Sequence, residues 1–247
     1  MIKLERAPQP VELTEEKIAE LTAKFKDEGS SVWNVNFIKK PLLESSHGKC
    51  AYCEALLDEE SKYMEVEHFR DKKDFPDSVV SWSNLLPSCK RCNGQKSSHN
   101  VEVDGMIVNP YEVAPKDHIY LKNFRIRHRD DIGRRTVEVV YLNESERMVQ
   151  VRFLIGEGIS NALNVLRERV ENFLDGQNGV VQRNKILGGV RNLLLECQPG
   201  AQYSSVSSTI LLSDPDYAWV KAQLNQIDLW EEFQELEEIA GSLSLPE

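Results

Sequence analysis

Apolar positions Ile18, Leu21 and Phe25 recur at three- and four-residue intervals, which predicts one face of a helix. Thr14, followed by Glu15, Glu16 and Lys17, supplies a cap and first turn, and Gly29 supplies a stop. The segment before it, up to Pro10, is polar with two prolines and reads as extended. A second short helix is expected over residues 35–45, ending before His47-Gly48. From Cys50 to Asn100 the periodicity gives way to charges and turn residues, and Gly105, Pro110 and Pro115 mark a loop. Residues 124–126 and 136–142 alternate as strands do, with Gly133 between them in a hairpin. From Ser145 the pattern is helical: Val151, Ile155, Ile159, Ala162, Leu166, Val170 and Phe173 form one stripe. Asp175 to Gly179 breaks it, residues 180–197 form the next helix, and Pro199-Gly200 ends that one. Asp214-Pro215 is a cap and first-turn proline for a last helix. Its stripe is Tyr217, Val220, Leu224, Ile227, Trp230, Phe233 and Leu236.

The balance of 40% hydrophobic and 28% charged residues in 247 suits a globular chain. No run of about 18 apolar residues predicts a membrane span, and MIKLERAPQP lacks the apolar core of a secretory signal. A cytoplasmic location is therefore expected. The net charge of −10 argues against binding nucleic acid by bulk charge, but its distribution changes the picture. Residues 212–247 hold nine acids against Lys221 alone, so the remainder is near neutral. That segment suits a solvated helix face or a protein neighbour.

Four of the five cysteines form two C-x2-C pairs, Cys50/Cys53 and Cys89/Cys92. In a cytosolic chain this spacing predicts one tetrahedral zinc held by four thiolates. A site closed by four cysteines leaves no open position for water, so this zinc is expected to staple the fold only. Cys197, beside Leu193, Leu194 and Leu195, reads as an inert core thiol. Between the pairs stands Glu65-Val-Glu67-His68-Phe-Arg70, then Trp82-Ser-Asn84-Leu-Leu, and directly after the last cysteine Asn93-Gly-Gln-Lys96. Period two places Glu65 and Glu67 on one strand face and Val66 and His68 on the other. A neutral imidazole beside a carboxylate-held metal is a suitable general base near pH 7.

From Cys50 through Lys96 the order of these pieces resembles the HNH (ββα-metal) nuclease family. The resemblance implies a fold and a set of roles. His68 matches the general base and Glu67 the acidic metal ligand. Asn84 matches the asparagine that braces the loop orienting the histidine. Asn93 matches the second metal ligand. Many members carry Asp where this chain has Glu67, so Glu65 on the same face is a rival carboxylate, and His99 is a further candidate ligand. Hard oxygen ligands imply Mg²⁺ or Mn²⁺ as the catalytic ion.

The wording K-C-A-Y-C-E, E-H-F-R-D-K-K and W-S-N-L-L-P-S-C-K-R-C-N is most similar to the HNH proteins of Septu and retron-associated antiphage systems. That likeness implies an effector nuclease working beside an ABC/SMC-like ATPase of the PtuA kind, with DNA or RNA as substrate. The alternative is a nuclease-inactive zinc-knuckle subunit that regulates the ATPase.

Arg70, Lys90, Arg91 and Lys96 are the expected phosphate contacts, diluted by Asp71, Asp74 and Asp77. Arg125, Arg127, His128, Arg129, Arg134 and Arg135 form a second basic group, read as nucleic-acid contact or ordinary surface. The expected architecture is α+β. An HNH module at residues 46–110 is embedded in a mostly helical chain, after an extended and helical segment (1–45) and before a hairpin and helical region (111–247).

Overall fold

In the computed structural model the described residues are 1–57, 63–177 and 179–247. Thr14 caps the first helix, α1 (Glu15–Glu28), by accepting from Lys17 N, and Gly29 ends it at φ 67°. Helix α2 spans Asn36–Ser45. Ahead of both, residues 1–10 are non-repetitive, with Met1, Ile2 and Leu4 buried.

The irregular middle resolves into β1 (Met64–His68), β2 (Leu85–Cys89) and α3 (Lys90–Lys96). The strands pair antiparallel, with Glu65 opposite Ser88, Glu67 opposite Leu86 and His68 opposite Leu85. Pro87 is tolerated because this sheet has two strands among the described residues, and its carbonyl accepts from Ala51 N at 2.9 Å. Both α2 and α3 pack on the hairpin, giving a ββα module.

The next stretch departs from the sequence expectation. The strands are β3 (Ile119–Lys122) and β4 (Arg125–His128), turned by Asn123 and Phe124, both at positive φ. Residues 131–139 form helix α4 (Asp131–Val139), not a strand. The β-branched run Thr-Val-Glu-Val-Val misleads here, because the cap decides: the Asp130 side chain accepts from Gly133 N at 2.7 Å. Gly133 is thus a helical position, not a hairpin turn. A Cβ there would lie 2.0 Å from the His118 carbonyl oxygen. Gly133→Ala is therefore expected to destabilise by about 1–3 kcal/mol or more. Gly188→Ala, in an open helical position, is expected to stabilise by about 0.4–1 kcal/mol. Urea midpoints of the two variants check this contrast.

The C-terminal helices are α5 (Gln150–Leu174), α6 (Val180–Leu195), α7 (Ser204–Ser213), α8 (Pro215–Gln226) and α9 (Gln234–Leu243). The expected break at Asp175–Gly179 is present, although Asn178 lies outside the described residues. Helix α7 escapes sequence reading because Ser204, Ser205, Ser207 and Ser208 are buried. The single last helix expected after Pro215 is in fact two, interrupted at Asp228 (φ 55°), though its stripe holds. Tyr217, Val220, Leu224, Trp230 and Phe233 join Leu163, Leu166, Val170 and Leu194 in one core. Burying each such side chain contributes about 1.5–3 kcal/mol. Cys197 is fully buried in this core and burial pushes its thiol up to about 12, as suits an inert residue.

The chain forms two compact units, Met1–Ile119 with Arg127–Leu142, and Tyr120–Ile126 with Asn143–Glu247. Among the described residues no helix is long and apolar enough to cross a membrane.

Candidate metal centre and active site

Cys50 and Cys53 stand on a tight turn in which Glu54 N donates to Cys50 O at 3.0 Å and Glu54 takes φ 64°. Cys89 ends β2 and caps α3, its sulfur accepting from Cys92 N at 3.4 Å. The four sulfurs lie within 4.8 Å of one another, and Cys53 Sγ is 3.8 Å from Cys89 Sγ. Tetrahedral zinc–thiolate bonds place sulfurs about 3.8 Å apart, so the donor set fits zinc. Arg91 reaches over the cluster: one guanidinium nitrogen donates to Cys92 Sγ at 3.1 Å and the other to Tyr141 O at 3.0 Å. Arg91 thus neutralises thiolate charge and is drawn away from the phosphate role expected of it.

His68 ends β1 and is 4% exposed. Its Nε2 is 2.9 Å from Val79 O, a pairing that requires the proton on Nε2. Nδ1 then carries the lone pair, and among the described residues it has no hydrogen-bond partner. Trp33 packs edge-on against the ring at 4.6 Å between centroids. Burial holds His68 down at about 4, helped by Lys72 and Lys96, so the imidazole is neutral at pH 7.

Asn84 accepts from Arg70 N at 2.7 Å and donates to Arg70 O at 3.0 Å and Ser78 O at 3.2 Å. Its own carbonyl takes Phe69 N at 2.9 Å. It therefore ties down the chain on the downstream side of His68. Arg6, which sequence reasoning missed, holds the same turn from outside. It donates to the carbonyls of Trp82, Ser83 and Leu85 at 2.7–3.0 Å and stacks on Tyr111. Trp33 and Arg6 lie far from the motif in sequence, and no local signal marks them.

The acidic residues separate into two rungs across β1 and α3. Asn93 Nδ2 donates to Glu65 Oε2 at 2.7 Å, and the Lys96 ammonium lies 2.8 Å from Glu67 Oε1. Glu67 is 2% exposed, and Oε1 lacks a well-directed hydrogen bond despite that ion pair. Burial raises its carboxyl to about 7, against the opposing pull of Lys96. Carboxylate and amide oxygens of this kind are hard donors that suit a divalent cation such as Mg²⁺ or Mn²⁺. Glu65 and Asn93 line a cleft of about 460 Å³ with Asp71, Lys72, Lys73 and Lys90.

Other expected residues are engaged elsewhere. His99 Nε2 bonds Gly105 O at 2.9 Å, turning the ring to that loop. Arg70 pairs with Glu102 at 3.1 Å on the surface. Lys96 is fully buried and cannot meet a phosphate in solvent, which corrects that expectation. In the second basic group Arg129, Arg134 and Arg135 are taken up by Lys116 O, Asp131 with Glu138, and Met106 O, while Arg125 and Arg127 are exposed. Three acids of the C-terminal segment are held inside their own unit: Asp216 by Arg167, Glu232 by Arg191 and Glu237 by Lys221.

Residues 50–99 match the family described as HNH endonuclease. The chain is 42% identical over 231 residues to the Septu protein PtuB of Bacillus thuringiensis, covering 93% of this chain and 89% of that protein. It is 29% identical over 141 residues to the Septu protein PtuB of Bacillus mycoides strain KBAB4, covering 44% of this chain and 48% of that protein. No solved structure matches it.

Proposed function

The chain belongs to the family of the Septu protein PtuB, and from that premise we propose that it is a metal-dependent HNH endonuclease, the effector of an antiphage defence complex. The observation that carries this reading is the setting of His68. Its ring is neutral, held by Val79 O through one nitrogen, with no hydrogen-bond partner for the other among the described residues.

His68 Nδ1 accepts a proton from the attacking water, whose oxygen then forms a bond to phosphorus as the bond to the leaving sugar oxygen breaks. Asn84 keeps the ring in place by holding residues 69 and 70. Asn93 and the β1 carboxylates Glu67 and Glu65 would hold the Mg²⁺ or Mn²⁺. That ion, when bound, supplies charge stabilisation at the scissile phosphate and leaving oxygen. Lys72, Lys73 and Lys90 give the cleft positive charge for the nucleic-acid backbone. Cys50, Cys53, Cys89 and Cys92 hold a structural zinc. The working module is residues 46–110, and an ABC/SMC-like ATPase is the partner.

The test is hydrolysis of plasmid DNA and of total RNA by the purified protein, alone and with its ATPase, in Mg²⁺ or Mn²⁺ and in EDTA. Cleavage of one of these polymers is expected with the metals and none with chelator. Intact substrates in every combination would overturn the assignment.

A further inference from the structure

Lys96 carries a positive charge on a side chain with 0% exposure. Its ammonium lies 2.8 Å from Glu67 Oε1 and donates to the His68 carbonyl at 2.8 Å. One cation therefore grips the side chain of residue 67 and the backbone of residue 68. A helix face brings it there. Asn93 and Lys96 are three apart on α3 and point the same way, while Glu65 and Glu67 are two apart on β1 and do likewise. Asn93 meets Glu65 and Lys96 meets Glu67, one rung deeper.

Taking an ammonium fully out of water is unfavourable, and an apolar side chain of similar length would pack with no such penalty. Solvent cannot reach this charge, so attraction of phosphate does not explain it. What it touches does. His68 is held at its ring by Val79 O and on its downstream side by Asn84, and the remaining handle, its carbonyl, is held by Lys96. We propose that Lys96 is a positioning residue of the nuclease, fixing the Glu67 carboxylate and the His68 backbone in their working places. This rests on the nuclease reading above. Without the ammonium, the carbonyl loses its donor, the carboxylate loses its counter-charge, and the Nδ1 lone pair no longer points where it did. A displacement of about 1 Å at a reacting group costs about 100-fold in rate.

The experiment uses the full-length, zinc-loaded chain, in whichever form the wild type cleaves, with Lys96→Met and Lys96→Gln. Three quantities are read: the single-turnover rate at saturating nucleic acid, the Kd for nucleic acid with its salt dependence, and Mn²⁺ binding by electron paramagnetic resonance. Lys96→Met is expected to cleave about 100-fold more slowly, with nucleic-acid affinity and zinc content unchanged. Its Mn²⁺ affinity is expected to be no weaker, because a positive charge that competes with the ion for the Glu67 carboxylate has been removed. Lys96→Gln, one bond shorter but still carrying an N–H donor, is expected to recover part of the rate. If Lys96→Met does not fold, Lys96→Gln is read by the same criteria. A wild-type rate at saturation with weaker binding, and a salt slope smaller by about one, makes Lys96 a phosphate contact and overturns the proposal. Parallel loss of zinc, Mn²⁺ and nucleic-acid binding in both variants marks a merely structural residue and also overturns it. Failure of the nuclease reading shows separately, as absence of cleavage by the wild type.

Discussion

Cys92→Ser is expected to abolish zinc binding, unfold the β1–β2–α3 module and eliminate cleavage. The secondary structure of the module is short. Its strands are five residues each and its helix seven, and a two-stranded hairpin is at best marginally stable in water. Cys89 caps that helix and Cys92 sits inside it, so a metal held by the four sulfurs would join the end of β2 to the knuckle at Cys50. Structural zinc supplies about 10–16 kcal/mol of binding free energy that is also folding free energy. Losing even several kcal/mol in a chain of this size lowers Tm by about 10 °C or more. Thermal unfolding read beside zinc stoichiometry checks this, and a strong chelator is expected to reproduce the variant. A wild-type Tm in zinc-free protein would remove the staple from the account.

His68→Ala is expected to slow cleavage by about 10²–10⁴-fold, the usual contribution of a positioned general base. Stability should fall far less than in the cysteine variant. The ring leaves a gap against Trp33, and Val79 O loses its partner, together costing on the order of 1–3 kcal/mol. His68→Gln separates the two effects. Its amide can still donate to Val79 O and fill much of the space, yet it cannot take a proton from water at neutral pH. The account predicts a folded, zinc-loaded protein that is nearly as slow as His68→Ala. Recovery of the rate by glutamine would mean that His68 only supports the loop.

How much of this was legible in the sequence depended on how local each cause is. Two C-x2-C pairs are local chemistry, and their four sulfurs do converge. The Thr14 cap and the Gly29 stop are equally local, and the structure has them; of the α5 stripe Ile159, Leu166 and Val170 are buried, while Ala162 is exposed and Leu163 is buried instead. Asn84, whose bracing role only the family resemblance implied, bonds the backbone of Arg70, 14 residues away in the same module. Readings failed where a tertiary partner decides. The run from Thr136 looks like a strand, but the Asp130 cap and the Thr136 hydroxyl, bonded back to Ile132 O at 2.7 Å, keep it helical. Helix α7 hides its core face in serines. Lys96 looked like a phosphate ligand because a lysine in a basic cluster is usually solvated. Only the fold reveals that its charge is buried against Glu67. Arg6 and Trp33 reach the site from residues more than 30 positions before His68, where no motif points to them.

The most direct measurement is a paired single-turnover assay of zinc-loaded wild type and His68→Gln on the same nucleic acid in Mn²⁺, each repeated in EDTA. The account predicts metal-dependent cleavage by the wild type and a rate lower by about 10²–10⁴-fold for the variant at equal zinc content. Equal rates for the two proteins, or cleavage that persists in EDTA, would contradict it.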